Sequence, residues 1–216
     1  MEKIINDLKE VGDITWGMYA FSRDILRHKA DFSKKKEMIT KAIQCGYEKA
    51  DEMIAKYGTV QSETLAKNLS LKVRWQEKGQ ISDYMIFALF TSPNQITIMQ
   101  EPIKKAADHD QICAFISKEQ IRSILLGHEI FHYLEEQDKT IYTRTEKIEL
   151  WSLPFFKNRT TIRAVGEIAG MYFTKKLNHL DFCPFMLDVL LYFAYDPTVA
   201  YSIYQDIMEL DGMHHV

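Results

Sequence analysis

The segment Leu126-Gly127-His128-Glu129-Ile130-Phe131-His132-Tyr133 places two histidines four positions apart, with a glutamate directly after the first. On a helix, His128 and His132 share one face, with Cβ atoms about 5–6 Å apart. Two imidazoles at that separation can hold one zinc ion. Glu129 lies about 100° further round the helix, so it reaches a water beside the metal and not the metal itself. That is the placement of a general base for metal-assisted hydrolysis.

A catalytic zinc needs a third protein ligand and one open position. Glu135 and Glu136 follow on the same helix, but eight residues rise about 12 Å, so neither closes a site with both histidines. The strongest candidate is Glu167, in Ala164-Val165-Gly166-Glu167-Ile168-Ala169-Gly170-Met171. The small residues around it let its helix approach the histidine helix closely. Two glycines inside a helix each cost about 1 kcal/mol relative to alanine, so a packing reason is expected. His109, Glu146, Glu149, His179 and Asp181 remain alternative ligands. His179 and Asp181 suit a supporting or hydrogen-bonding role better than direct ligation. The His214-His215 pair reads as a chain end.

The elements that must position these residues are legible in outline. Residues 1 to about 57 read as helical and end near Gly58. A short helix at 62–69 follows, then strands near 70–75, 84–90 and 96–99, with a turn at Ser92-Pro93-Asn94. The capping-box pattern Ser117-Lys118-Glu119-Gln120 opens a helix to about Glu136, which carries the histidines. Its apolar residues Ile121, Ile124, Leu125, Phe131 and Leu134 suit burial. Phe131 lies about 200° round from Glu129 and should enter the core, clear of the site. Further helices are expected at about 160–177, after Pro184, and from Asp196-Pro197. The whole is α+β, mainly helical, with a small three- to four-stranded sheet beside the histidine helix. A helical N-terminal part (1–60) precedes the remainder (61–216).

Composition bounds the function. The 216 residues include 27 basic and 30 acidic side chains, a formal net charge of -3. That balance does not suit a protein held to nucleic acid through phosphate neutralisation. The run Lys34-Lys35-Lys36 reads as a solvated helix start. Cys45, Cys113 and Cys183 form no Cys-x-x-Cys motif, so a metal here should be held by imidazole and carboxylate. Scattered, odd-numbered thiols suit a reducing cytoplasm. No signal peptide is read at the start, and the most apolar stretch, 182–195, is too short and polar to span a bilayer.

In its ordering the chain resembles the ImmA/IrrE-like metallopeptidases, among the zincins with a glutamate third ligand. The resemblance rests on the helix-then-strand run Leu65 to Val73, the hairpin through Ile96-Thr97-Ile98-Met99, and His128-Glu129-Ile130-Phe131-His132 followed by Glu167. It covers about residues 60–180. Phe131 stands where members often carry glycine, and no helix-turn-helix domain is visible. The resemblance implies a zincin-like domain over 61–216, with His128, His132 and Glu167 holding Zn2+ and Glu129 as general base. It implies hydrolysis of peptide bonds in a cytoplasmic protein, with the substrate added as a strand near Ile96-Met99 at the cleft rim. Tyr133 and His179 are candidate donors to the oxyanion. The competing reading is a metal-stabilised regulatory or interaction module of the same fold without turnover. Neither reading involves a membrane or nucleic acid.

Overall fold

The computed structural model describes residues 1–58, 60–77, 80–81, 84–153 and 156–214. Helices α1 (Glu2–Glu10) and α2 (Asp13–Ser22) lead through a 3-10 turn at Arg27–Lys29 to the long α3 (Phe32–Tyr57). The Asp31 side chain caps α3 by accepting from Lys34 N, and Gly58 ends it in the left-handed conformation at φ 62°, where a residue without Cβ carries no steric penalty. Helix α4 (Ser62–Asn68) then delivers the chain to β1 (Lys72–Gln76).

Strands β2 (Gln80–Ile81) and β3 (Tyr84–Met85) form a small antiparallel ladder. Strands β4 (Ala88–Thr91) and β5 (Gln95–Met99) flank the turn at 92–94 and join β1 in a three-stranded sheet of order β1-β5-β4. Strand β5 runs parallel to β1 and antiparallel to β4, with Ile96 opposite both Val73 and Phe90. Ile96 and Ile98 are fully buried, as an alternating strand packed on one face requires. The single strand expected over 84–90 is therefore two, interrupted at 86–87.

Helices α5 (Gln100–Ala107) and α6 (Asp110–Cys113) lead to α7 (Lys118–Gln137), the histidine helix. Its capping box is formed: Ser117 Oγ accepts from Gln120 N, and Gln120 Oε1 accepts from Ser117 N. Ile121, Ile124, Phe131 and Leu134 are buried as their spacing requires, and Phe131 meets Phe173 with ring centroids 5.7 Å apart. The short α8 (Tyr142–Thr145) precedes a hairpin, β6 (Ile148–Leu153) and β7 (Phe156–Thr160). Periodicity does not reveal this hairpin. Its exposed positions include the apolar Trp151 and Leu153 while its half-buried ones include the polar Asn158 and Thr160, so hydrophobicity does not follow the alternation of burial.

Helix α9 (Arg163–Leu177) carries Glu167. It lies between α3 and α7. A Cβ added at Gly46 of α3 would fall 2.3 Å from Ala169 O, and one at Gly170 of α9 would fall 2.9 Å from His128 Nδ1. The small residues of α9 thus serve two neighbours: Ala169 faces α3, while Gly166 and Gly170 face α7. Helices α10 (Met186–Phe193) and α11 (Pro197–His214) complete the chain, α11 opening with Asp196 Oδ1 accepting from Thr198 N. One connected core runs from Ile5 and Leu8 to Ile207, so the N-terminal helices share it with α9. The architecture is a mainly helical α+β fold with small sheets of three and two strands. Among the described residues no helix is long and apolar enough to cross a membrane.

Candidate metal centre

The two imidazoles meet because the turn of α7 stacks them. His128 Nε2 and His132 Nε2 are 3.0 Å apart, and Glu167 Oε2 on α9 lies 3.3 Å from His128 Nε2. The three donor atoms all lie within 4.8 Å of one another, so His128, His132 and Glu167 could hold a metal ion. Tetrahedral ligands at zinc bond lengths stand about 3.3 Å apart, so the donor spacing fits such an ion. The set is two nitrogens and one oxygen, with no thiolate, and all three free cysteines are elsewhere.

Each of the three candidate donors is oriented differently. His132 Nδ1 lies 3.2 Å from Glu135 Oε2, which fixes the tautomer that leaves Nε2 free. His128 Nδ1 is buried without a hydrogen-bond partner among the described residues. Its ring is held instead by the close backbone of α9 at Gly170. Glu167 Oε1 accepts from Arg163 Nε at 2.9 Å, which leaves Oε2 turned to the histidines. The helix under Glu167 is itself pinned from far away in sequence. Buried Asp24 accepts from Ala164 N through Oδ2 and from Leu26 N through Oδ1, supplying the first-turn acceptor that α9 lacks locally.

Electrostatically the cluster favours a cation. Burial opposes the charged form of His132. The Glu135 hydrogen bond and the nearby Glu167 and Glu129 carboxylates outweigh it and raise the pKa to about 9. Burial likewise opposes ionisation of Glu167, yet the hydrogen bond to His128, the charges on both histidines and Arg163 hold its pKa far below the usual carboxylate range. A site that attracts positive charge on both counts is suited to a divalent ion.

Glu129 is buried, 7 % exposed, beside the triad, and its Oε2 accepts from Phe90 N at 2.7 Å. Strand β4 therefore borders the site. This corrects the expectation that residues 96–99 form the rim. Strand β5 is the centre of its sheet, with β1 on one edge and β4 on the other, so its backbone groups are already paired. The available edge is that of β4. Phe87 O accepts from Met99 N on β5, while Phe90 N points to Glu129. Alternation then turns Ala88 and Phe90 to the cleft.

The triad, Glu129 and β4 line one cleft of about 1590 Å³. None of the alternative ligands lines it. His109 packs on the Phe193 ring at 5.2 Å, and Glu146 pairs with Lys34 at 2.9 Å. Glu149 pairs with Lys157, and His179 and Asp181 are exposed beyond the end of α9. Tyr133 meets Phe90 edge-on, 6.0 Å between centroids, and is also off the cleft. His215 lies outside the described residues. Sequence reasoning missed Asp24 and Arg163. The Arg163–Glu167 spacing of four was a usable signal, whereas Asp24 reaches Ala164 across 140 positions. No protein-family model, no curated protein and no solved structure matches this chain.

Proposed function

We propose that this protein is a zinc-dependent metallopeptidase of the zincin kind, similar to the ImmA/IrrE-like enzymes, acting on a polypeptide in the cytoplasm. The observation that carries this reading is the convergence of His128, His132 and Glu167 from two helices within 4.8 Å, with Glu129 alongside. Bound there, zinc supplies Lewis-acid chemistry, polarising a peptide carbonyl and making water a stronger acid. Glu129 takes the proton of the attacking water and passes it to the leaving amine nitrogen. Phe90 N–H occupies one Glu129 oxygen and so orients the other. The β4 edge aligns an extended peptide through the Ala88 backbone groups and the Phe90 carbonyl, the Phe90 N–H being committed to Glu129. Arg163, engaged with Glu167 through Nε only, keeps further N–H groups for a carbonyl developing negative charge.

The second reading, a metal-holding regulatory module without turnover, draws on the burial of Glu129 and the occupation of its Oε2. Replacing Glu129 by Gln separates the two. The purified protein should carry about one equivalent of zinc by elemental analysis, and the Gln variant should keep it. Cleavage of a mixed peptide library, read by mass spectrometry, should fall at least about a hundredfold in the variant. Equal product yields from both proteins would remove the peptidase reading. Less than about a tenth of an equivalent of zinc in folded, unchelated protein would remove the metal.

A further inference from the structure

We propose that the cleft over the metal triad takes an acidic peptide segment, recognised by a rim of arginine and lysine side chains. The proposal rests on the peptidase reading for the nature of the ligand, but its charge selectivity is a separate property of the cleft.

Charge in this cleft is sorted. Its lining includes five carboxylates, and each is engaged within the protein. Glu129, Glu135 and Glu167 serve the Phe90 N–H, His132 and His128 respectively. Asp24 caps α9, and Asp188 accepts from Arg23 and from Tyr19.

The cations lining the cleft are Arg23, Arg27, Arg144, Lys147, Arg159 and Arg163, and all are exposed. Arg23 is committed to Asp188, and Arg144 donates to Glu135 O. Arg163, with its side chain 87 % exposed, engages Glu167 through Nε alone. The side chains of Arg27, Lys147 and Arg159 make no ion pair or hydrogen bond among the described residues, though Arg27 N–H donates to Asp24 O. The water-facing charge of the cleft is therefore positive, in a chain whose net charge is -3.

The cations also come from adjoining segments. Lys29 Nζ donates to Leu150 O at 2.9 Å, which ties the turn carrying Arg27 to β6. Lys147 immediately precedes β6, and Arg159 lies on β7, where its backbone stands opposite Glu149 in the ladder. The stretch 86–90, which also lines the cleft, carries no charge. Uncompensated like charges round a concave site repel one another and concentrate oppositely charged ligands. The β4 edge beside them offers backbone hydrogen bonds to an extended chain, a match for a peptide and not for a phosphate backbone.

The test uses the full-length Glu129→Gln protein loaded with zinc, so that binding is read without turnover. The probes are fluorescein-labelled 12-residue peptides carrying four Glu among Ala and Leu, and the same peptide with Gln or Lys at those four positions. By anisotropy in 50 mM salt, the Glu peptide should bind about tenfold more tightly than the Gln peptide, with the Lys peptide weakest. The preference should shrink at 300 mM salt. In a Lys147→Glu/Arg159→Glu double variant, shown folded by circular dichroism, it should vanish or reverse. A Glu-to-Gln ratio below about twofold, or a ratio unchanged by the double variant, would overturn the proposal. So would a 12-nucleotide oligothymidylate binding as tightly as the Glu peptide. Charge-selective binding together with no cleavage of any peptide by the wild-type protein would sink the peptidase reading and leave this one standing.

Discussion

At the scale of single residues, the site shows how two candidate ligands of one kind can be held by different forces. His132 is oriented by a hydrogen bond, through Nδ1 to Glu135. His128 is oriented by contact, its ring against Gly170 and its Nδ1 unpartnered. The carboxylate of Glu135 does two jobs in that arrangement. It selects the His132 tautomer, and it adds to the negative charge that keeps His132 basic. Glu135→Ala should therefore weaken zinc about 10- to 100-fold, measured by competition with a chelating dye, while circular dichroism stays unchanged. Glu135→Gln retains an acceptor for Nδ1 and should cost less. An affinity within about threefold of wild type in the Ala variant would make Glu135 a packing residue only.

At the scale of elements, α9 is the keystone between α3 and α7. Its N-terminus is tied to Asp24, its Ala169 carbonyl lies against Gly46, and its Gly170 lies against His128. Side chains larger than hydrogen at these contacts would push the helices apart and move Glu167 away from the histidines. Gly46→Ala places a methyl 2.3 Å from Ala169 O and 2.9 Å from Phe173 N, both backbone atoms that cannot turn aside. It should destabilise the fold by about 3 kcal/mol or more in urea unfolding. The helix-propensity gain of about 1 kcal/mol from replacing glycine does not compensate. A variant as stable as wild type would mean that α3 and α9 are not in this contact.

At the scale of the molecule, the candidate ligands come from elements that the chain separates. His128 and His132 stand on α7 and Glu167 on α9, with the β6–β7 hairpin between them in sequence. A metal that binds the folded arrangement but not the unfolded chain adds about 4 kcal/mol when its free concentration is a thousandfold above the dissociation constant. For a chain of this size, stripping the metal with a chelator should lower the melting temperature by about 10 °C. Re-addition of zinc should restore it. A melting temperature indifferent to chelation in zinc-loaded protein would deny the triad this bridging role. The same long-range assembly gathers the basic rim, since the turn after α2, the start of β6 and the end of β7 converge only when the chain folds.

The histidine pair, its helix and the capping box were legible in the chain because they are local. A four-residue spacing and a Ser-x-x-Gln pattern operate within one or two turns, where helical geometry alone sets distance. The small residues around Glu167 marked a close helix contact, and the structure shows that contact being made on two sides. The alternation of Ile96 and Ile98 marked a strand, but not its place in the sheet. That place depends on which strands hydrogen-bond to it, and it moved the cleft rim from β5 to β4. The β6–β7 hairpin left no periodic trace because its exposed positions include Trp151 and Leu153 and its half-buried ones Asn158 and Thr160, so apolar character and burial do not coincide. Asp24 under α9 and the gathering of unpaired cations at the cleft are long-range outcomes. They arise when burial of one shared core brings residues more than a hundred positions apart within hydrogen-bonding reach, and no local spacing rule encodes that.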